Sequence, residues 1–149
     1  MKKFKFKLEK VASIKAKQLK QKTHELARLM RQLETEKVNL QNLKMDLDAV
    51  QREIFKHTIE GCSVNELLEH HRYAEKLLQD ITIQKKKIES IEENIEKMQV
   101  LLLKLNKEKK ILEKLREKRY VQYIQEQNHE EQKVLDEMFT LTHKFQQIV

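Results

Sequence analysis

An apolar residue returns at every seventh position along much of the chain. One such column runs through the first part of the sequence: Ala12, Leu19, Leu26, Leu33, Leu40, Leu47 and Ile54. A second column follows it, accompanied by further apolar positions: Leu67, Ala74, Ile81, Ile88, Ile95 and Leu102, with Leu77, Ile91, Met98, Leu105 and Leu112. A strict heptad keeps one seam of a helix facing a partner and imposes a left-handed supercoil. Both parts of the chain are therefore predicted to form coiled-coil helices.

A single break separates the two columns, at residues 60–66. Gly61 can adopt the left-handed conformation that ends a helix, and Ser63 with Glu66 forms the S-x-x-E capping box that begins the next one. A glycine tolerated inside one continuous helix is the alternative, but stop and start signals coincide here. We predict one helix over about residues 3–60, a turn at 61–63 and a second helix over about 64–145, in a single domain of residues 1–149.

Folding the chain back at this break pairs the two columns layer by layer. Ile54 then faces Leu67, and Leu19 faces Leu102 at the far end. The companion column of the first helix is weaker, because it contains three charged residues, Lys15, Lys22 and Glu36. The predicted fold is all-α: a long antiparallel two-helix coiled-coil hairpin in which the second helix overhangs the first and the ends fray.

Positive charge is concentrated at the end of the predicted hairpin opposite the turn. Residues 1–22 contain nine lysines and one glutamate, a net of +8, and residues 104–119 contain eight basic and three acidic residues, a net of +5. The whole chain carries +7, which leaves −6 for the remainder. Concentrated like charge costs stability through self-repulsion, which favours a binding role for these lysines. The surface could bind carboxylates of a partner, and the alternative interpretation is an ordinary solvated helix face. Nucleic acid fits less well, because the first stretch has no arginine and only Phe4 and Phe6 as aromatic residues.

Composition excludes most other classes of protein. The chain is 37% charged and has no Pro, no Trp and one Gly, which is typical of long helices. One glycine cannot build a phosphate-binding loop, adjacent His70 and His71 lack the spacing of helical metal ligands, and Cys62 has no positioned base. The longest apolar run, residues 100–103, is far shorter than a membrane span of roughly 20 residues. We expect no enzyme activity, no cofactor, no metal and no transmembrane segment.

Three stretches of sequence carry a resemblance to a known family. They are the opening FKFKLEKV at residues 4–11, the reversal GCSVNEL at 61–67, and the charged segments LEKLREKR at 112–119 and EEQKVLDE at 130–137. In order, spacing and total length they resemble the F-x-F-x-L-E-x-V start, the S-x-x-E-L reversal and the charged C-terminal signature of the FliJ proteins of flagellar type III export.

The resemblance implies a non-enzymatic adaptor or stalk beneath the flagellar base. Proteins of this family bind the hexameric export ATPase, in a manner similar to the central stalk of rotary ATPases. They also meet the cytoplasmic domain of the membrane export gate and handle export chaperones. The implied location is the cytoplasm, in peripheral association with the inner face of the cell membrane.

Two sets of residues become candidates for partner binding. Tyr73 and Leu77 match an aromatic residue and a leucine that the family uses towards the export gate, although Asp80 and Gln84 depart from its usual small residue and histidine. Ordinary packing is the alternative for both, above all for Leu77 on the seam. The candidates for ATPase binding lie in the two basic stretches: Lys2, Lys3, Lys5, Lys7, Arg116 and Arg119.

Three other functions compete with this interpretation. One is a stalk protein of a virulence type III secretion system, and another is a nucleic-acid-binding arm. The third is a self-associating coiled-coil scaffold that uses an apolar stripe in the overhang: Val134, Leu135, Met138, Phe139, Leu141, Phe145 and Ile148.

Overall fold

Two long α-helices account for most of the chain in a computed structural model that describes residues 2–148. Helix α1 is Glu9–Glu60 and helix α2 is Val64–Ile148. No strand is present among the described residues. The predicted all-α helical hairpin, with its turn at residues 61–63 and a longer second helix, is confirmed.

The chain divides into two compact units. The first, called here the turn unit, is Lys20–Leu103, and the second, called the terminal unit, joins the residues up to Leu19 with those from Lys104 onward. The prediction of one domain over residues 1–149 stays a prediction.

A narrow apolar stripe forms the core of the turn unit. Its buried side chains come from the predicted columns of both helices: Val50, Leu77, Ile81, Ile88, Ile91 and Ile95. The facing leucines of α1, from Leu26 to Leu47, are half-buried. Each helix therefore shields one face of the other, as a heptad seam does.

Polar contacts give the register of the turn unit. Glu36 of α1 contacts Gln84 and Lys87 of α2. That position lies between two layers that the sequence predicts, one pairing Leu40 with residue 81 and the other pairing Leu33 with residue 88. The observed antiparallel register therefore agrees with the predicted one.

The turn is built by two capping devices. Gly61 has a φ of 84°, and its N–H donates to the carbonyl of His57 at 2.9 Å, which ends α1. Ser63 then caps α2, because its Oγ accepts the N–H of Glu66 at 3.3 Å. Glycine takes this left-handed conformation without the strain that a Cβ brings.

Helix α1 begins at Glu9, six residues later than the predicted start at about residue 3. Residues 2–6 have no regular secondary structure and residues 7–8 form a turn. The reason lies in the alternation Phe4-Lys5-Phe6-Lys7, which places both aromatic rings on one side only when the backbone is extended. In a helix the two rings would lie about 200° apart, and they could not pack on the same surface.

Candidate partner-binding surfaces

The N-terminal segment, residues 2–8, packs against α2 within the terminal unit. The ring of Phe4 lies edge-on to Tyr120, with centroids 5.3 Å apart, and tilted against Tyr123 at 5.6 Å. The Tyr123 hydroxyl also donates a hydrogen bond to the backbone carbonyl of Lys2. Phe6 is half-buried as well. These contacts hold the segment along α2, and at its C-terminal end the carbonyls of Phe6 and Leu8 accept the N–H groups of Glu9 and Ala12.

The lysines of this segment are exposed around the aromatic contacts. Lys2, Lys3, Lys5 and Lys7 border an open groove of about 800 Å³ together with Arg119 of α2. Two acidic residues, Glu126 and Glu130, also border it. The terminal unit thus brings together all six residues predicted to bind the ATPase, here called the basic surface: Lys2, Lys3, Lys5, Lys7, Arg116 and Arg119.

Some cationic side chains of the terminal unit form ion pairs with acidic neighbours. Arg116 lies 3.4 Å from the carboxylate of Glu9, and both side chains are more than half exposed. Lys15 lies 2.6 Å from the carboxylate of Glu108. Within residues 2–148, by contrast, no acidic side chain forms an ion pair with Lys2, Lys3, Lys5 or Lys7. These four ammonium groups are available to an external anion.

The Lys15–Glu108 pair has a structural role. The two side chains are 30% and 32% exposed, so water reaches them only in part. The hydrogen bond from Lys15, followed by the positive charges of Lys15 and Lys104, lowers the pKa of Glu108 below its usual range despite the opposing effect of burial. Glu108 thus provides a carboxylate partner for Lys15, which occupies a position of the companion column where the heptad would place an apolar residue.

The two residues predicted to meet the export gate differ in exposure. The Tyr73 residue is 46% exposed, whereas Leu77 is 3% exposed and belongs to the core of the turn unit. Leu77 therefore packs between the helices, and of the two only Tyr73 has a side chain exposed to solvent. Asp80, one turn beyond them, is half-buried.

A polar layer interrupts the core of the turn unit. The sequence identifies its charged residue on α1, Glu36, but not the partners of Glu36 on α2. The Gln84 amide donates to the backbone carbonyl of Glu36 at 2.9 Å and also to its carboxylate. Lys87 Nζ lies 2.9 Å from the other carboxylate oxygen, and Asn39 donates to the group at 3.4 Å. The Gln84 hydrogen bond, then that of Lys87, lowers the pKa of Glu36. The missed signal was Gln84 itself, which stands in the column between Leu77 and Ile91.

The sequence of the chain matches a known protein family. A family model described as flagellar FliJ protein matches residues 4–147 of the chain. No curated protein and no solved structure matches it. Within residues 2–148, neither helix contains a stretch that is long and apolar enough to cross a membrane. The match extends over both helices and the turn, and the chain accordingly belongs to the FliJ family of flagellar proteins, as a component of flagellar protein export.

Proposed function

We propose that this chain is a non-enzymatic adaptor of the flagellar export apparatus that binds the hexameric export ATPase through its basic surface. The observation that carries the proposal is the set of four exposed lysines on residues 2–7 without acidic partners in the described chain. Membership of the FliJ family supports the choice of partner.

The N-terminal segment suits an electrostatic contact. Because Phe4 packs on two tyrosines, the backbone that carries the lysines is held before a partner arrives. Less ordering entropy is then lost on binding. Exposed charges of this kind raise the association rate with an acidic surface and are screened by salt. We expect a binding partner that presents carboxylates and an affinity that falls as ionic strength rises.

Charge reversal tests the proposal. A variant with Lys2, Lys3, Lys5 and Lys7 all changed to Glu should lose co-sedimentation with the export ATPase while its circular dichroism shows unchanged helicity. The matched control reverses four exposed lysines of the turn unit, with the same change in net charge: Lys37, Lys44, Lys56 and Lys76. Unchanged co-sedimentation of the first variant, or equal loss in the control, would contradict ATPase binding at the basic surface.

Tyr73 is the proposed contact to the cytoplasmic domain of the export gate. Its half-exposed ring supports this role, and Leu77 would contribute by fixing the helix from the core. We expect Tyr73→Ala to reduce gate binding in a pull-down and Leu78→Ala, at a 51% exposed leucine five residues along the helix, to leave it unchanged. A Tyr73→Ala variant that binds as well as the wild type would remove the gate assignment.

The C-terminal part of α2 provides a second surface for the binding of partners. Residues 128–148 are exposed along their whole length, and they carry an apolar stripe that includes Val134, Met138, Leu141 and Phe145. We propose that this exposed stripe assists in the handling of export chaperones. The adaptor would act in the cytoplasm, and its contact with the gate would place it at the inner face of the membrane.

Self-association through the same stripe is a second candidate function. Light scattering separates the two, because a homotypic seam gives dimers at rising concentration in the absence of chaperone. A virulence secretion stalk is disfavoured by the match to the flagellar family.

A further inference from the structure

Three side chains with metal-binding atoms converge at the turn, and the ring of His70 lies beside them. A ring nitrogen of His57, Cys62 Sγ and a carboxylate oxygen of Glu66 all lie within 4.8 Å of one another. The ring of His70 stacks on that of His57, with centroids 5.0 Å apart and planes inclined by 19°. Sequence spacing alone did not reveal this cluster, because the turn itself brings residues of α1 and α2 together.

The backbone that carries these groups is fixed before any ion binds. Gly61 ends α1 with a hydrogen bond to the His57 carbonyl, and Ser63 caps the first turn of α2. Glu66 and His70 are four residues apart on α2, so they share one helix face. His57 and Cys62 are half-buried. The cluster therefore has a scaffold, rather than resting on side chains of a free loop.

A neighbouring carboxylate supports the histidine from α1. Glu53 lies 3.4 Å from His57 Nε2. Imidazoles that bind metals commonly donate their second N–H to such a group, which orients the ring and raises its basicity. Glu53 would be that supporting partner with the ion bound to Nδ1 of His57.

The donor set selects the kind of ion. A thiolate, an imidazole and a carboxylate suit borderline ions such as Zn²⁺, whereas Ca²⁺ and Mg²⁺ prefer oxygen donors only. Bond lengths of about 2.0–2.3 Å in a tetrahedral zinc site place neighbouring donor atoms about 3.5 Å apart. Donor atoms already within 4.8 Å of one another reach that spacing through small side-chain rotations.

We propose that His57, Cys62 and Glu66 form a Zn²⁺ site at the turn, with the fourth coordination position open to water. The bound ion would join the last turn of α1 to the first turn of α2 and close the hairpin at that end. This inference does not depend on the basic surface or on any export partner.

Cobalt substitution tests the site on the full chain. Titration of the reduced protein with Co²⁺ should give one equivalent bound, with visible d–d bands and a thiolate-to-cobalt charge-transfer band, and Zn²⁺ should displace the cobalt. Cys62→Ser should abolish the charge-transfer band, and His57→Ala should weaken binding at least about tenfold, since even supporting residues of metal sites contribute that much. The matched control is His71→Ala, which removes an exposed histidine beside the cluster and should bind as the wild type does.

A second measurement keeps the test independent of spectral intensity. Added Zn²⁺ should raise the thermal midpoint of the wild type and of His71→Ala, and should leave that of Cys62→Ser unchanged. Circular dichroism of each variant verifies that the helices are intact. A wild type without a thiolate band or a zinc-dependent midpoint would overturn the proposal, as would loss of binding in His71→Ala equal to that in His57→Ala.

Discussion

Glu36 shows how a single charged residue is accommodated on an apolar seam. It is 8% exposed and lies in the companion column of α1 among leucines and valine. Gln84 and Lys87 satisfy its carboxylate from the opposite helix. Any other register of the two helices would bury the carboxylate without these partners, at a large cost in free energy. The polar layer therefore selects one register in the middle of the turn unit.

The state of Glu36 predicts how stability depends on pH. Its pKa lies below the ordinary value of 4.5 in the folded chain, so the unfolded chain binds the proton more readily. The stabilisation is fully present above the unfolded pKa and is lost as pH falls through the folded pKa. We expect the urea midpoint of the wild type to fall more steeply between about pH 5 and pH 3 than that of Glu36→Gln. The exposed Glu34 provides the control, and a Glu34→Gln variant with the same flattened profile would contradict the assignment.

Gly61 predicts a cost that arises from the backbone alone. A Cβ at this position would meet no atom within 4 Å, but φ is +84°. Gly61→Ala should reduce the free energy of unfolding in urea by about 1–2 kcal/mol, the penalty of the left-handed conformation for a residue with a Cβ. Gly61→Asn should cost less, because Asn tolerates this conformation. An alanine variant as stable as the wild type would show that the turn does not need a positive φ.

The sequence reveals some of the important polar residues and not others. The charged positions in the α1 column were visible from the heptad, whereas their partners were not, since Glu36 and Gln84 are separated by 48 positions. The His57–Cys62–Glu66 cluster was missed for a related reason. Spacing rules for metal sites consider one helix, and this cluster draws on two helices and the turn between them.

At the scale of elements, the N-terminal segment shows two periodicities in competition. Residues 2–8 are rich in lysine and contain no helix breaker, which led to the predicted helix from about residue 3. The aromatic residues alternate with a period of two instead, and their contacts with Tyr120 and Tyr123 hold an extended segment. Tertiary packing decided the structure here, as it commonly overrides helix propensity.

Removal of the Phe4 ring should release this segment without unfolding the helices. Aromatic pairs are worth about 0.5–1.5 kcal/mol each beyond buried area, and Phe4 makes two of them. We expect lower NMR order parameters over residues 2–8 in Phe4→Ala, with unchanged helical circular dichroism. Phe55→Ala is the control, since Phe55 is 68% exposed. Equal order parameters in wild type and Phe4→Ala would mean that other contacts hold the segment.

The two helices and the turn between them were predictable because their signals are strong and local. The heptad columns span many turns, and the single glycine coincides with a capping box. The start of α1 depends on contacts with Tyr120 and Tyr123, more than a hundred residues away, and no local pattern reports them.

Across the whole molecule, burial is distributed unevenly along α2. Its buried residues lie between Leu77 and Leu105, whereas residues 128–148 are exposed throughout. A helix without tertiary contacts has little stability of its own at this length. We expect amides of residues 128–148 to exchange with a free energy of opening near zero, and those of residues 77–95 to exchange most slowly.

Truncation after Gln127 gives a second measurement of the same point. It should leave the urea midpoint of the remaining chain unchanged, because every residue from 128 to 148 is exposed and none contributes to a core. A lowered midpoint would show that this segment contributes to the fold of the monomer.

The candidate binding surface was predictable in its residues and not in its partner. The six cations could be located because charge counts need no coordinates, and the register then placed them together. The heptad had already placed Leu77 on the seam, and its burial agrees, whereas the exposure of Tyr73 could be read only from the structure. The identity of a partner depends on the surface of that partner, and the family match connects the chain to flagellar protein export in general.

The short turn at Gly61 has a consequence for the order in which the hairpin folds. His57 and His70 meet across only a few intervening residues, whereas Lys2 and Tyr123 are 121 positions apart. Closing the longest loop first would carry the largest entropic penalty, but each layer formed next to the turn shortens the loop that the following layer must close. We therefore expect the hairpin to form layer by layer from Gly61, with the lysine-rich segment docking last. A nascent or partly unfolded chain would therefore carry these lysines on a segment that is not yet held against α2.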